Sequence, residues 1–95
     1  MSEALNDDAI RTALESLSGW TVENGKLHRS MRFGGFPEAL AFLVRVGIEA
    51  EKQGHHPELS NVYDRVTIDL TTHDADGITA KDVDLARAID GVAAG

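Results

Sequence analysis

Apolar residues along this chain switch repeatedly between a helical period and a period of two. Ile10, Ala13, Leu14 and Leu17 fall at helical spacing and predict a first helix from about Asp8 to Leu17, capped by Asn6 or Asp7. Ser18-Gly19 ends it. Trp20 and Val22 then alternate with Thr21 and Glu23, and Asn24-Gly25 is a strong two-residue hairpin signal. The returning strand places Leu27, Arg29, Met31 and Phe33 on one side and His28, Ser30 and Arg32 on the other, with Arg29 out of keeping with its apolar neighbours. After Gly34-Gly35, Phe36-Pro37-Glu38 opens a second helix with proline in its first turn, running to Gln53 and closed by Gly54. Only Arg45 and Gly47 interrupt the apolar run from Ala39 to Ile48, which is more apolar surface than one buried face requires. A stripe of Leu40, Leu43, Gly47 and Ala50 is expected to cover a sheet, leaving Phe42 and Val46 as an exposed apolar patch that marks an interface.

The second half repeats the pattern. Leu59 to Tyr63 reads as a third strand and Asp64-Arg65 as a tight turn. Val66, Ile68 and Leu70 alternate with Thr67, Asp69 and Thr71 in a fourth strand ending near His73. Asp74 to Gly77 is a loop. Thr79 and Asp82 have the spacing of a capping box, and Val83, Leu85, Ala86, Ile89 and Val92 follow at helical intervals. The order is α-β-β-α-β-β-α. Hairpins imply antiparallel pairing, so the expected fold is α+β, a four-stranded antiparallel sheet with three helices packed on one face. No internal repeat or linker divides residues 1–95, which form a single domain.

Charge and composition narrow the function. Nine Lys and Arg against sixteen Asp and Glu give a net charge of −7, a surface that repels phosphate backbones and anionic lipid. Nucleic-acid and membrane-surface partners are therefore not expected. The absence of Cys excludes disulfides, thiol nucleophiles and thiolate metal sites. No segment approaches the roughly 20 apolar residues of a membrane span. The acidic start, Met1 to Asp8, lacks the apolar core of a secretory signal, and a cytoplasmic location is expected.

Candidate chemistry lies in the histidines. His55 and His56 follow the second helix, where its C-terminal dipole favours the protonated imidazole, and Glu51 lies one turn before His55. Pro57 drives His56 towards extended backbone, so the pair sits at a break in the chain. Such groups can give and take a proton near neutral pH, although adjacent histidines at a helix end also serve as simple caps. Asp82 has the ordinary reading of a helix-start acid, Tyr63 that of a half-buried strand aromatic and Trp20 that of a core anchor. His28 has no assigned role.

Taken together, Glu51, His55-His56-Pro57, Tyr63, His73 and Asp82 have a spacing that resembles the signature of the pterin-4a-carbinolamine dehydratases. The text around them agrees: Glu51-Lys52, Glu58, Asn61-Val62-Tyr63, Thr72-His73-Asp74, Gly77-Ile78-Thr79 and Leu85-Ala86. The resemblance implies elimination of water from a 4a-hydroxytetrahydropterin, the product left by aromatic amino acid hydroxylases, to give quinonoid dihydropterin. It implies that His55 and His73 act on the hydroxyl, that His56 orients the pterin, and that Asp82 holds the ionised or tautomeric state of a histidine. Glu51 would tune His55, and Pro57, Leu59 and Tyr63 would contact substrate. Leu59 stands where many members carry Trp, keeping apolar contact without ring stacking. No metal and no cofactor is implied, the pterin being the substrate.

Two rival readings are weighed against it. Three His and a carboxylate could hold zinc, but His55 and His56 are adjacent rather than at the i, i+4 spacing usual on a helix. Animal members of the family also act as dimerization cofactors of a homeodomain transcription factor, which makes a non-enzymatic protein-binding module the alternative. A homodimer or homotetramer with two-fold symmetry is expected from the apolar second helix and the open sheet edges.

Overall fold

The structure is a computed structural model that describes residues 3–94. Helix α1 (Asp7–Leu14) is followed by strands β1 (Thr21–Glu23) and β2 (Lys26–Arg32), helix α2 (Phe36–Gln53), strands β3 (Glu58–Val62) and β4 (Arg65–Leu70), and helix α3 (Ala80–Ala94). The strands form one antiparallel sheet in the order β1-β2-β4-β3, so the two hairpins meet along the β2–β4 seam. Among the described residues no helix is long and apolar enough to cross a membrane.

The capping chemistry follows the sequence closely. Asn6 caps α1, its Oδ1 accepting from the Ala9 N–H at 2.8 Å. The helix ends three residues earlier than expected because bonds from Glu15, Ser16 and Leu17 back to Thr12, Ala13 and Leu14 tighten the chain after Leu14. Leu17 is nonetheless buried. At the first hairpin Asn24 and Gly25 take φ of 54° and 75°, the left-handed pair that a tight two-residue turn needs.

The core lies between the sheet and the helices. Val66, Ile68 and Leu70 of β4 and Leu27 of β2 are completely buried under α2 and α3. Arg29 does share this face, as the alternation implies. Its guanidinium bonds Asp90 of α3, which also accepts from Trp20 Nε1 at 2.8 Å. A charge placed on the apolar side is thus paired there, with a partner 61 residues away.

Two expectations are corrected. The buried stripe of α2 is Ala39, Phe42, Val46 and Ala50, whereas Phe36, Leu40, Val44 and Ile48 face outward. Phe42 is not exposed because Phe33, just past β2, meets its ring at a centroid distance of 4.9 Å, and Val46 is buried on the same stripe. The flanking alanines are small enough to bring the helix close to the core. Nearly continuous apolarity left the pattern unable to choose between stripes. The second hairpin turns one residue earlier than expected, at Tyr63-Asp64, since Val62 pairs with Arg65. Asn61 Nδ2 pins this turn by donating to the carbonyls of Tyr63 and Arg65 at 3.2 and 2.8 Å. Tyr63 has a φ of 52° and is 67% exposed, so it is a turn residue and not a half-buried strand aromatic.

Candidate active site

Three chain segments converge at one end of the sheet. The first is the end of α2, where Gly54 adopts a left-handed φ of 63° and its N–H returns to the Ala50 and Glu51 carbonyls. That reversal sends the next two side chains in opposite directions. His55 turns inward and its side chain is 12% exposed, while that of His56 is 69% exposed. The second segment leaves β4 through Thr71 and Thr72 and enters a short 3-10 turn, His73–Ala75, pinned by a bridge between Thr72 and Gly77. The third is the first turn of α3, with Thr79 and Asp82. Gly54, His55, His56, Thr71, Thr72, His73, Asp74 and Lys81 line an open cleft of about 260 Å³.

Beneath the cleft, Asp82 is completely buried. Its Oδ1 lies 2.5 Å from His55 Nε2, and its Oδ2 accepts from the Thr79 N–H at 2.9 Å and from Thr72 Oγ1 at 2.8 Å. The Thr72 and Thr79 hydroxyls are themselves 2.8 Å apart. No buried side-chain polar atom among the described residues lacks a partner. A carboxylate so deep is tolerable because both of its oxygens are hydrogen-bonded, Oδ1 to one partner and Oδ2 to two. Asp82 therefore closes the capping box of α3 and holds His55 with the same group.

The other two imidazoles have partners at the surface. His56 Nε2 lies 2.8 Å from Glu51 Oε1, both side chains being mostly exposed. Glu51 thus meets His56 and not His55, a correction that follows from the reversal at Gly54. His73, 80% exposed, has Nε2 3.7 Å from Glu58 Oε2, and Lys26 Nζ holds the other Glu58 oxygen at 2.7 Å. Among the described residues, no three His, Asp or Glu side chains converge to hold a metal ion. Each imidazole is turned to its own carboxylate instead.

The structure therefore brings His55, His56, His73 and Asp82 together, with Glu51 on the rim. Pro57 is half-buried and carries the chain into β3 without lining the cleft. Leu59 does not line it either; in register with Ile68, it lies on the helix side of the edge strand. Tyr63 lies in the turn past the far end of β3, separated from the histidine pair by the whole five-residue strand, roughly 17 Å long. Sequence reasoning passed over Thr72, buried beside the cleft, and Glu58. The signal for Thr72 was present in the alternation: it continues the inward series Val66, Ile68, Leu70 with a hydroxyl where an apolar side chain belongs.

Comparison with known proteins finds a family and relatives that match nearly the whole chain. Residues 3–92 match the family described as Pterin 4 alpha carbinolamine dehydratase. A Solibacter usitatus protein carrying the pterin-4-alpha-carbinolamine dehydratase name is 53% identical over 95 residues, all of both chains. One from Opitutus terrae, of the same name, is 52% identical over 88 residues, 92% of this chain and 91% of its own. A crystal structure from Brucella melitensis, described as a transcriptional coactivator/pterin dehydratase, superposes with a TM-score of 0.91 at 35% identity, covering 96% of this chain and 99% of that one. The α-β-β-α-β-β-α chain with its cleft of three histidines belongs to the pterin 4 alpha carbinolamine dehydratase family.

Proposed function

We propose that the chain dehydrates 4a-hydroxytetrahydropterin to quinonoid dihydropterin in the cleft of His55, His56 and His73. The C4a–O bond breaks, the N5 proton leaves, and a C4a=N5 double bond forms as water departs. This needs one group to protonate the leaving hydroxyl and another to accept the nitrogen proton, with no redox partner and no covalent nucleophile. His55 and His73 are the proton-transfer groups, His56 orients the pterin, and Asp82 holds His55. Glu51 acts through His56, and Pro57 fixes the backbone that aims the pair. Leu59 and Tyr63 contact substrate only if a second copy brings them to a cleft. A pterin-dependent aromatic amino acid hydroxylase is the class of enzyme that supplies this substrate.

The observation that carries the reading is the convergence of three imidazoles on one open cleft, one of them fixed by a buried carboxylate. Positioned acid–base groups accelerate reactions by about 10²–10⁴-fold, sufficient for a substrate that also loses water unaided. Stopped-flow measurement of the dehydration should show this acceleration at micromolar protein. No acceleration would overturn the assignment.

A second copy of the chain covers the outward stripe of α2. Phe36, Leu40, Val44 and Ile48 are 44, 45, 58 and 53% exposed, an apolar row four residues apart from the start of the helix to Ile48. A two-fold dimer, or a tetramer of two dimers, buries it. Light scattering should give at least a dimer mass for the unmodified protein and a monomer mass for Val44→Glu; an unmodified monomer at micromolar concentration sinks this proposal. The same stripe favours the rival reading, a protein-binding module without catalysis. Under that reading, a dehydration-dead variant would still complement a deletion strain.

A further inference from the structure

We infer that Thr72 and Thr79 are positioning residues whose hydroxyls, through Asp82, fix His55 in the tautomer that carries its proton on Nε2. This inference rests on the reading of His55 as a proton-transfer group, and it deepens that reading by naming the nitrogen that does the transfer. It follows from counting protons along a buried chain.

The Lys81 N–H donates to Thr79 Oγ1 at 3.2 Å. Thr79 Oγ1 and Thr72 Oγ1 are 2.8 Å apart, and Thr72 Oγ1 is 2.8 Å from Asp82 Oδ2. A carboxylate accepts and does not donate, so the single hydroxyl proton of Thr72 goes to Oδ2. The proton between the two hydroxyls must then be that of Thr79. The chain has one direction, Thr79 to Thr72 to Asp82. With the Thr79 N–H also donating at 2.9 Å, Oδ2 holds two donors, and Oδ1 is left to His55 Nε2 at 2.5 Å. That nitrogen has to be an N–H. In the neutral ring the lone pair is then on Nδ1, which meets no protein partner among the described residues.

Burial keeps this order from being scrambled. Thr79 and Asp82 are 0% exposed and Thr72 is 6% exposed, so solvent does not supply competing donors. The two threonines also account for each other. Thr72 occupies an inward position of the β4 alternation, where an apolar side chain would have left Thr79 without an acceptor and Asp82 short of a donor. Nδ1 of His55 is accordingly the atom that takes or gives the proton in the cleft.

The test reads the tautomer directly. Two-bond ¹H–¹⁵N correlation spectra of the imidazoles at a pH where His55 is neutral should show the Nε2–H form in the unmodified protein. Thr72→Val takes one donor from Oδ2 and so weakens the hold that keeps Asp82 ionised and its Oδ1 aimed at Nε2. It should lose at least a third of that form and lower kcat about tenfold with KM within twofold, the scale of one hydrogen bond to a charged group. Thr72→Ser, which restores the hydroxyl, should return both to within threefold of the unmodified values. An Nδ1–H ring in the unmodified protein would overturn the inference, and that spectrum suffices even if Thr72→Val fails to fold. So would a Thr72→Val variant with unchanged tautomer and kcat. Spectra that behave as described in a protein without dehydration activity would instead remove the proposed function and leave the tautomer assignment standing.

Discussion

The inner and outer walls of the cleft use the same pairing and differ in what surrounds it. On the inner wall, His55 meets Asp82 at 2.5 Å, with side chains 12 and 0% exposed and two threonines behind the carboxylate. On the outer wall, His56 meets Glu51 at 2.8 Å and His73 stands 3.7 Å from Glu58, with side chains between 44 and 80% exposed. Exposed ion pairs contribute roughly 0–1 kcal/mol, whereas removing one partner of a buried pair costs about 3–5 kcal/mol. An imidazole–carboxylate distance therefore says little until burial is known. On these exposures the inner wall is expected to be the more rigid side and the outer wall the more adjustable one.

The largest effect should come from breaking the inner wall at its centre. Asp82→Asn keeps an oxygen for the Thr79 N–H and the Thr72 hydroxyl but presents an amide NH2 where a carboxylate oxygen met His55. Dehydration should slow by about 10²–10⁴-fold, since the imidazole loses the group that orients it. Stability should fall as well, by about 1–3 kcal/mol, because buried hydrogen bonds to a charge are lost. Stopped-flow kinetics and thermal melts together test this. Cap and carboxylate support are one group here, so a variant that lost stability alone would contradict the arrangement.

The histidines themselves sharpen the contrast. His55→Ala and His73→Ala should each slow dehydration by roughly one to three orders of magnitude. Only His55→Ala should also lower the melting temperature, because it strands Asp82 Oδ1 in the interior. His73 is 80% exposed, and its removal should leave stability within about 0.5 kcal/mol. Equal melting temperatures for the two variants would erase the distinction between the walls.

Much of this is legible in the sequence itself. Caps, turns and alternation are local chemistry, so Asn6, Asn24-Gly25, Gly54 and the Thr79–Asp82 box stand where the sequence puts them. What escaped depended on distant partners. Arg29 looked misplaced because Asp90 lies 61 residues on. The buried stripe of α2 was chosen by Phe33, which no helical pattern contains. Helical spacing points Glu51 at His55, yet the left-handed turn at Gly54 ends that spacing and brings His56 to Glu51 instead. Thr72 was passed over because a hydroxyl on a strand is unremarkable until the strand's inward face is found to end on a buried carboxylate.

The smallest effect belongs to the outer wall. Glu58→Gln removes the carboxylate beside His73, and Lys26, which holds that carboxylate at 2.7 Å, is left without it. Three facts limit the loss. The 3.7 Å separation is longer than a hydrogen bond, the Glu58 charge is already shared with Lys26, and solvent reaches both side chains. The dehydration rate should change by less than about fivefold, corresponding to the roughly 1 kcal/mol ceiling of an exposed pair. Salt offers an independent measure of the same quantity. At about 0.15 M ionic strength exposed charges are screened over roughly 8 Å, so raising salt should shrink whatever difference Glu58→Gln makes and leave the deficit of Asp82→Asn unchanged. If Glu58→Gln instead cost as much as Asp82→Asn, or its deficit ignored salt, His73 would be held as firmly as His55, and the outer wall would not be the adjustable side of the cleft.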